Sequence, residues 1–301
     1  VRPQYPGAPR IRTGERLMKF APFALGLSLI ALPLGSPALA AGGAGADQIE
    51  GPTSGLSMAM TIYAGGITIG KVDMDAKIIG DKYHVVSNLE TSGVVNAFWQ
   101  SEIQASSSGT IDGHALQPVL YDSFYTGHTE KHQEVSLTYE DGTPVRLYAN
   151  PPYSTTGYEV KPEDKKSTFD PLSAVMYIAS GVGAKPDNPC SVLAPVYDGR
   201  RRYNIELTKV KATTVKMDNG LYSGPALLCS IKYKQLSGFK PRVLKEANFP
   251  EIDAWVATFP STNGGRKFAV PLRVWAKSQY GIIAVIATSV KVDGEKPRTS
   301  G

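Results

Sequence analysis

The sequence contains few of the residues that usually mark catalysis or metal binding. Its 301 residues include only two cysteines and four histidines. It has neither a C-x-x-C pair nor the G-x-S-x-G motif that exposes a catalytic serine, and no spacing pairs a serine or an aspartate with a histidine base. We therefore predict a protein that is not an enzyme, with no catalytic residue, no metal and no cofactor.

The sequence also lacks a strong net charge once its first 40 residues are set aside. The full chain carries 32 basic and 27 acidic residues, a formal net charge of +5. The first 40 residues hold five of the basic residues and one of the acidic ones, which leaves 27 and 26 in the remainder. A near-neutral chain does not attract polyanions over a distance, so we expect no nucleic-acid partner.

One segment near the amino terminus has the length and composition of a signal peptide. Lys19 precedes the apolar run 20–34, and small residues follow up to Ala40. The run is interrupted by Pro33 and is shorter than the roughly 20 residues that a membrane-spanning helix needs. We therefore expect export to the periplasm with cleavage after Ala40, no transmembrane span in the mature chain, and no part in the fold for residues 1–17.

The two cysteines, Cys190 and Cys229, both follow the predicted cleavage site. In an oxidising compartment a single pair most simply forms one disulfide. Two free thiols or a redox pair are the alternatives.

Most of the remaining chain alternates between apolar and polar residues with a period of two. Clear examples are 56–63, 67–74 and 83–89. Such alternation is typical of antiparallel strands with one buried face. Pairs of glycine with Asp or Asn, which suit tight hairpin turns, separate the segments; they are Gly80-Asp81, Asp112-Gly113, Asp141-Gly142, Asp198-Gly199 and Asn219-Gly220. About a dozen such segments predict a mainly β fold, a long curved antiparallel sheet in the form of an open barrel or a β-clam.

One helix is predicted near residues 171–181. Asp170 can cap its first turn, Pro171 suits the first helical position, and Gly181 can end it. Its apolar residues recur at helical spacing, so one face should pack against a sheet; they are Leu172, Val175, Met176 and Ala179.

The domain organisation follows from these elements. After the removed leader, 1–40, we predict an N-terminal β-half at 41–160 and a helix plus C-terminal β-half at 161–301, as one continuous domain. Segment 94–99 is predicted to form one or two helical turns. The segment 237–263 contains three prolines and predicts a long irregular connection.

Two segments fit the spacing of a ligand-binding motif but not its context. Residues 65–71 (GGITIGK) match a phosphate-binding loop, but Val72 replaces the hydroxyl residue and the strand pattern continues where a helix is required. His128, Glu130 and His132 could share one face of a strand, but no further metal ligands accompany them. We interpret the first as a hairpin turn and the second as exposed turn residues.

Three consecutive arginines follow the turn at Asp198. Successive strand residues point to opposite faces, so Arg200 and Arg202 should share one side. That side could bind a phosphate or a carboxylate, which the guanidinium fork suits. Alternatively, the arginines form ion pairs with Asp198 or Glu206 on a solvated strand.

Aromatic residues cluster in two places. These are Tyr121, Phe124 and Tyr125, and Tyr148, Tyr153 and Tyr158. Most should belong to the core or to cross-strand pairs. Alternatively, they line an apolar groove between curved sheets.

Four segments, in their order along the chain, resemble the exported bacterial family catalogued as domain of unknown function 3108. They are 63–70 (YAGGITIG), 93–118 (GVVNAFWQSEIQASSSGTIDGHALQP), 169–177 with 196–203 (FDPLSAVMY and VYDGRRRY), and 270–290 (VPLRVWAKSQYGIIAVIATSV). The resemblance implies an envelope protein built of antiparallel β-sheet. It implies no catalytic residues, because the family has no established reaction.

Two hypotheses of function follow. The first is a periplasmic, non-enzymatic protein that carries a lipid or another apolar ligand in the concavity of its sheet, with Arg200 and Arg202 as headgroup contacts. The second is a structural or protein-interaction module of the cell envelope without a small-molecule ligand. An apolar cleft of roughly 300–1,000 Å³ favours the first, and a filled interior favours the second.

Overall fold

The computed structural model describes residues 51–113, 115–128, 131–185, 187–246, 249–263, 265–278 and 281–297. The predicted signal peptide, its cleavage site and residues 1–17 lie outside these ranges.

The described chain forms thirteen strands in one antiparallel sheet. The strands are β1 Thr53–Ala64, β2 Ile67–Ile79, β3 Lys82–Thr91, β4 Glu102–Asp112, β5 Ala115–Thr126, β6 His132–Glu140, β7 Thr143–Asn150, β8 Val192–Tyr197, β9 Arg202–Lys216, β10 Ser223–Ser237, β11 Ile252–Pro260, β12 Lys267–Ser278 and β13 Gly281–Val292. Their order across the sheet is β7-β6-β5-β4-β3-β2-β1-β13-β12-β11-β10-β9-β8. Two meanders are thus joined through β1 and β13, and β7 and β8 are the edges of a sheet that is not closed into a barrel. The predicted fold class is confirmed.

Alternation of side chains explains why these segments form strands. In β2, Met74 and Ile78 are buried, whereas Asp73, Asp75 and Lys77 point to solvent. Because strand side chains alternate between faces, this register places Met74, Ala76 and Ile78 on the core side. The turn between β6 and β7 shows the predicted chemistry, because Asp141 and Gly142 both have positive φ angles, 48° and 68°.

Helix α1, Pro171–Ala179, lies inside the curve of the sheet. Asp170 caps it by accepting a hydrogen bond from the Ser173 backbone N–H at 2.8 Å. The helix contacts β3, β4 and β5 as well as β8 and β12, which lie far apart in the sheet order. The sheet therefore curves around α1. Val175, predicted to pack, is instead 37% exposed, while Ser173 is buried, because the helix buries the face that carries its polar network.

Segment 237–263 is more regular than predicted. It contains a second short helix, α2 Pro241–Glu246, and the strand β11. The prediction of an irregular connection was wrong here because Pro250 and Pro260 flank or end β11 rather than interrupt it. The predicted turns at 94–99 largely correspond to a 3-10 helix at Gly93–Ala97.

The sheet has two dissimilar ends. We call one the turn end, because the tight turns β2–β3, β4–β5, β6–β7 and β9–β10 meet there with the β11–β12 connection. We call the other the loop end; it holds the connections β1–β2, β3–β4, β5–β6, β8–β9, β10–β11 and β12–β13. The antiparallel order places every connection at one of these ends, apart from the long segment between β7 and β8.

Candidate functional site

The concave side next to α1 is filled by side chains rather than open to a ligand. Leu172 and Met176 of the helix pack with Leu56, Ile78 and Phe268 from the sheet in one buried cluster. The packed helix therefore occupies the space in which an acyl chain was predicted to lie.

A buried polar network joins this helix to the sheet. The Tyr83 hydroxyl lies 2.6 Å from the Ser173 hydroxyl, which also lies 2.8 Å from that of Ser107. Ser107 donates to a carboxylate oxygen of Asp170 at 3.0 Å, and the Ser173 hydroxyl donates to the same oxygen. Asp170, Ser173 and Ser107 are all at most 1% exposed. Because no substrate can reach it there, we interpret the network as structural.

Burial changes the acidity of this network. It raises the pKa of Asp170 from 3.8 to about 6, although the hydrogen bonds from Ser173 and Ser107 oppose that change. Burial also raises the pKa of Tyr83 and of Tyr139. The Tyr139 hydroxyl has no hydrogen-bond partner among the described residues. Asp170 was predicted as a helix cap, but neither its partner Ser107 on β4 nor Tyr83 on β3, which bonds to Ser173, has a signal in the sequence.

The two edges of the sheet approach each other where the β8–β9 turn meets β6 and β7. Gly199 adopts a φ of 91°, and a Cβ atom placed on it would lie 3.0 Å from Leu147 and 3.1 Å from Val135. Phe169 pairs with Val196 of the edge strand β8. The segment between β7 and β8 therefore fills the space between the edges without pairing the edge strands to each other.

A cleft of about 340 Å³ lies at this junction. We call it the seam cleft; its walls include Leu147, Tyr153, Val160, Lys165, Tyr197 and Arg200. The Arg200 guanidinium lies over the Tyr153 ring at 5.6 Å, and the Lys165 ammonium lies over the Tyr197 ring at 5.3 Å. The cleft thus combines two cations with two aromatic rings.

Arg200 has an incomplete set of hydrogen bonds. Its Nε atom is buried and has no hydrogen-bond partner among the described residues. Its backbone N–H donates to the Asp198 carboxylate at 2.9 Å, and the Arg201 N–H donates to the same oxygen at 2.6 Å. Burial raises the pKa of Asp198. Asp198 therefore fixes the turn that carries Arg200 at the cleft. Its carboxylate accepts hydrogen bonds from the backbone and none from the Arg200 Nε.

Arg202, predicted to act beside Arg200, has a different environment. Its Nε donates to the Asp164 carbonyl at 3.0 Å, and its Nη1 donates to the Tyr203 carbonyl at 2.6 Å and to Asn204 at 2.7 Å. It is not among the residues that line the seam cleft. Arg202 thus holds the segment before α1, and of the two predicted arginines Arg200 lines the seam cleft while Arg202 does not.

Sequence reasoning missed a second cleft, of about 560 Å³, at the turn end. Phe259 and Tyr222 contribute to its wall, with their ring centroids 5.6 Å apart, and Lys296 lies at it as well. Its residues come from β9, β10, β11 and the turns between them and also from segments before β8 and after β13, so no local pattern could reveal it.

Cys190 and Cys229 form a disulfide in the structure, with their Cα atoms 5.9 Å apart, a usual separation for this bond. Both are fully buried, in a cluster with Leu207 and Ala254. The bond ties the segment before β8 to β10.

The other predicted motifs have structural surroundings. Residues 65–66 form the β1–β2 turn, and Lys71 lies within β2. The His128 ring stacks on Trp99 at 5.5 Å and the His132 ring on Phe124 at 6.5 Å, while Glu130 lies outside the described residues. Across the part of the chain that the structure describes, no group of three or more metal-ligating side chains occurs.

The aromatic clusters are divided between the core and the surface. Tyr121 is buried, whereas Phe124 and Tyr148 are exposed. Tyr153 lines the seam cleft.

None of the helices in the described ranges is long and apolar enough to cross a membrane.

Comparison with known proteins gives a family but no activity. No curated protein matches the sequence significantly. A beta-barrel-like protein of domain of unknown function DUF1849 from Brucella abortus is 12% identical, with a TM-score of 0.45 over 80% of this chain and 97% of its own. A DUF1329 family protein from Desulfovibrio piger is 9% identical, with a TM-score of 0.20 over 82% and 88%. The model of the family described as Protein of unknown function (DUF3108) matches residues 58–288, and the chain therefore belongs to that family.

Proposed function

We propose that this protein is an exported, non-enzymatic binding protein for an anionic amphiphile, a ligand with a carboxylate or phosphate head and an apolar part. The observation that carries the proposal is the buried Nε–H of Arg200, which has no partner among the described residues and belongs to a side chain that lines the seam cleft.

The energetics of Arg200 support an anionic ligand. A buried donor without an acceptor costs roughly 1–3 kcal/mol, and more when the group is charged. A carboxylate or a phosphate can accept two parallel hydrogen bonds from the guanidinium fork. Lys165 would add a second positive charge to the same cleft. Glu159 also lines the cleft and its carboxylate accepts the Gly157 N–H at 3.1 Å, so these three charged side chains give the cleft a formal net charge of one positive unit.

The walls and size of the seam cleft support an apolar part of limited length. Leu147, Val160 and the Tyr153 ring offer apolar surface beside Arg200. A volume of about 340 Å³ is at the small end of the range for ligand pockets. It suits a headgroup with a short chain rather than a whole lipid.

Two further features support the remaining parts of the proposal. The Cys190–Cys229 bond agrees with the export expected from residues 20–34, because oxidising compartments maintain disulfides. A non-enzymatic role is supported by Asp170, the carboxylate joined to two serine hydroxyls, because it is sealed in the core.

Titration calorimetry with decanoate and with inorganic phosphate tests the proposal. Wild type should bind decanoate, and Arg200→Gln should bind it at least about tenfold more weakly, since a charged hydrogen bond contributes roughly 1.5–3 kcal/mol. Phosphate should compete with decanoate if the headgroup dominates binding.

The matched control is Arg201→Gln. The Arg201 guanidinium lies over the Phe239 ring at 5.6 Å, and the residue does not line the seam cleft, so this variant should retain wild-type affinity. Equal losses in both variants, or none in Arg200→Gln, would refute the assignment of Arg200. Absence of binding to either probe by wild type would favour the alternative, an envelope interaction module without a small-molecule ligand.

A further inference from the structure

At the loop end, the connections and the strand residues beside them expose more large apolar side chains than at the turn end, where Leu193 at 53% and Val145 at 52% lie on the two edge strands. The most exposed at the loop end are Phe98 at 80%, Val94 at 62%, Ile67 at 55% and Trp99 at 54%. In the turn-end connections, no described residue is an exposed large apolar side chain. Exposing large apolar side chains to water is unfavourable, so their concentration at one end of the sheet indicates that this end binds another surface.

These side chains come from neighbouring connections. The Ser92 N–H donates to the Ile69 carbonyl at 3.1 Å, which places the β3–β4 connection beside the start of β2. The Gly65 N–H donates to the carbonyl of Ile282 at 3.0 Å, which joins the β1–β2 and β12–β13 hairpins. Ile282 is itself 45% exposed. We call the set Ile67, Val94, Phe98, Trp99 and Ile282 the apolar tip.

The apolar tip makes little contribution to the core. The 3-10 helix Gly93–Ala97 contains no buried residue. The connection 92–101 has no charged residue at all, and Trp99 is held by its stack on His128 rather than by core packing. The amino acids of this connection are therefore not explained by the stability of the fold.

Positive charge accompanies the apolar surface. Helix α2 exposes Val243 and Leu244 between three basic residues, Lys240, Arg242 and Lys245. Phe249 lies in the same β10–β11 connection and fixes it to the sheet, because its ring packs on the Tyr233 ring with the centroids 4.9 Å apart. In sequence, the connections of the loop end carry six basic and four acidic residues, and those of the turn end one basic and three acidic.

We propose that the loop end docks on the surface of an anionic lipid bilayer, with the apolar tip inserted at the interface and the basic residues of α2 at the headgroups. Tryptophan and phenylalanine next to basic residues are typical of interfacial membrane contacts. The apolar side chains protrude from separate connections, a shape that suits a deformable bilayer. This docking goes beyond the ligand proposed for the seam cleft.

Vesicle co-sedimentation of the ligand-free protein tests this docking. Wild type should sediment with vesicles of phosphatidylethanolamine and phosphatidylglycerol, and less with phosphatidylcholine alone. The double variant Phe98→Ser, Trp99→Ser should bind the anionic vesicles at least about tenfold more weakly. In wild type, insertion transfers the two large apolar side chains from water into the bilayer, and the variant loses that favourable free energy. Its melting temperature should equal that of wild type, since neither residue is buried.

Two comparisons make the test specific. Val145→Ser is the matched control, because Val145 is 52% exposed but lies at the start of β7, beside the turn end; it should bind like wild type. Trp99→Phe should still sediment but lose the fluorescence blue shift that wild type shows on binding. Wild type that stays in the supernatant with both vesicles would overturn the proposal, as would equal binding by wild type and the double variant.

Discussion

Replacing Asp170 by asparagine should remove a pH dependence of stability that comes from one buried carboxyl group. Burial raises its pKa from 3.8 to about 6 in the folded protein. Below about pH 4 the group is protonated in both folded and unfolded chains and contributes no pH dependence. Between about pH 4 and pH 6 the unfolded chain is ionised while the folded chain keeps its proton, so the free energy of unfolding falls across that window and levels off above it.

The size of this effect follows from the difference in pKa. Two pKa units correspond to about 3 kcal/mol between pH 4 and pH 7. For a domain of this size that is a difference of about 6–12 °C in melting temperature. Asparagine keeps the acceptor for the Ser173 N–H, and its amide can donate to the hydroxyls of Ser107 and Ser173, so the variant should fold.

The assay is chemical unfolding of wild type and Asp170→Asn from pH 4 to pH 7. The difference between the two free energies isolates Asp170 from other titrating groups, such as Asp198 and Asp293, which both proteins share. Wild type should lose about 3 kcal/mol relative to the variant as pH rises. A difference that stays constant with pH would refute the view that Asp170 is sealed from water.

Two further predictions concern the disulfide and the junction of the sheet edges. Non-reducing peptide mapping should recover Cys190 linked to Cys229, and two alkylatable thiols in protein from the periplasm would contradict the disulfide. Replacing both cysteines by serine should lower the free energy of unfolding by about 4 kcal/mol, because the bond closes a loop across 39 residues. Gly199→Ala should cost about 1–3 kcal/mol more than Gly220→Ala in urea unfolding, because both positions have positive φ but only Gly199 packs against Leu147. Equal losses would show that the edges do not meet closely.

Strands such as β2 and the helix α1 could be predicted from the sequence because each depends on residues that are close together along the chain. The alternation in β2 and the capping residues of α1 involve neighbours along the chain, so residue pattern and structure agree at Asp73, Met74 and Asp170. The strand β11 was missed because its flanking prolines were interpreted as breaks.

The candidate site could be predicted only in part, because it depends on contacts distant in sequence. Arg200 and Arg202 are equivalent in a strand pattern, but Arg200 lies in a turn fixed by Asp198 and β9 begins only at Arg202. The pairing of β1 with β13 and the approach of β7 to the β8–β9 turn have no local signal. The seam cleft arises from that approach and could not be foreseen.

The most direct test of the proposed function is native mass spectrometry of the protein purified from the periplasm. Wild type should retain an anionic amphiphile that denaturation releases, and Arg200→Gln purified in parallel should lack it while Arg201→Gln keeps it. Wild type that carries no ligand, or the same ligand retained by Arg200→Gln, would contradict the account.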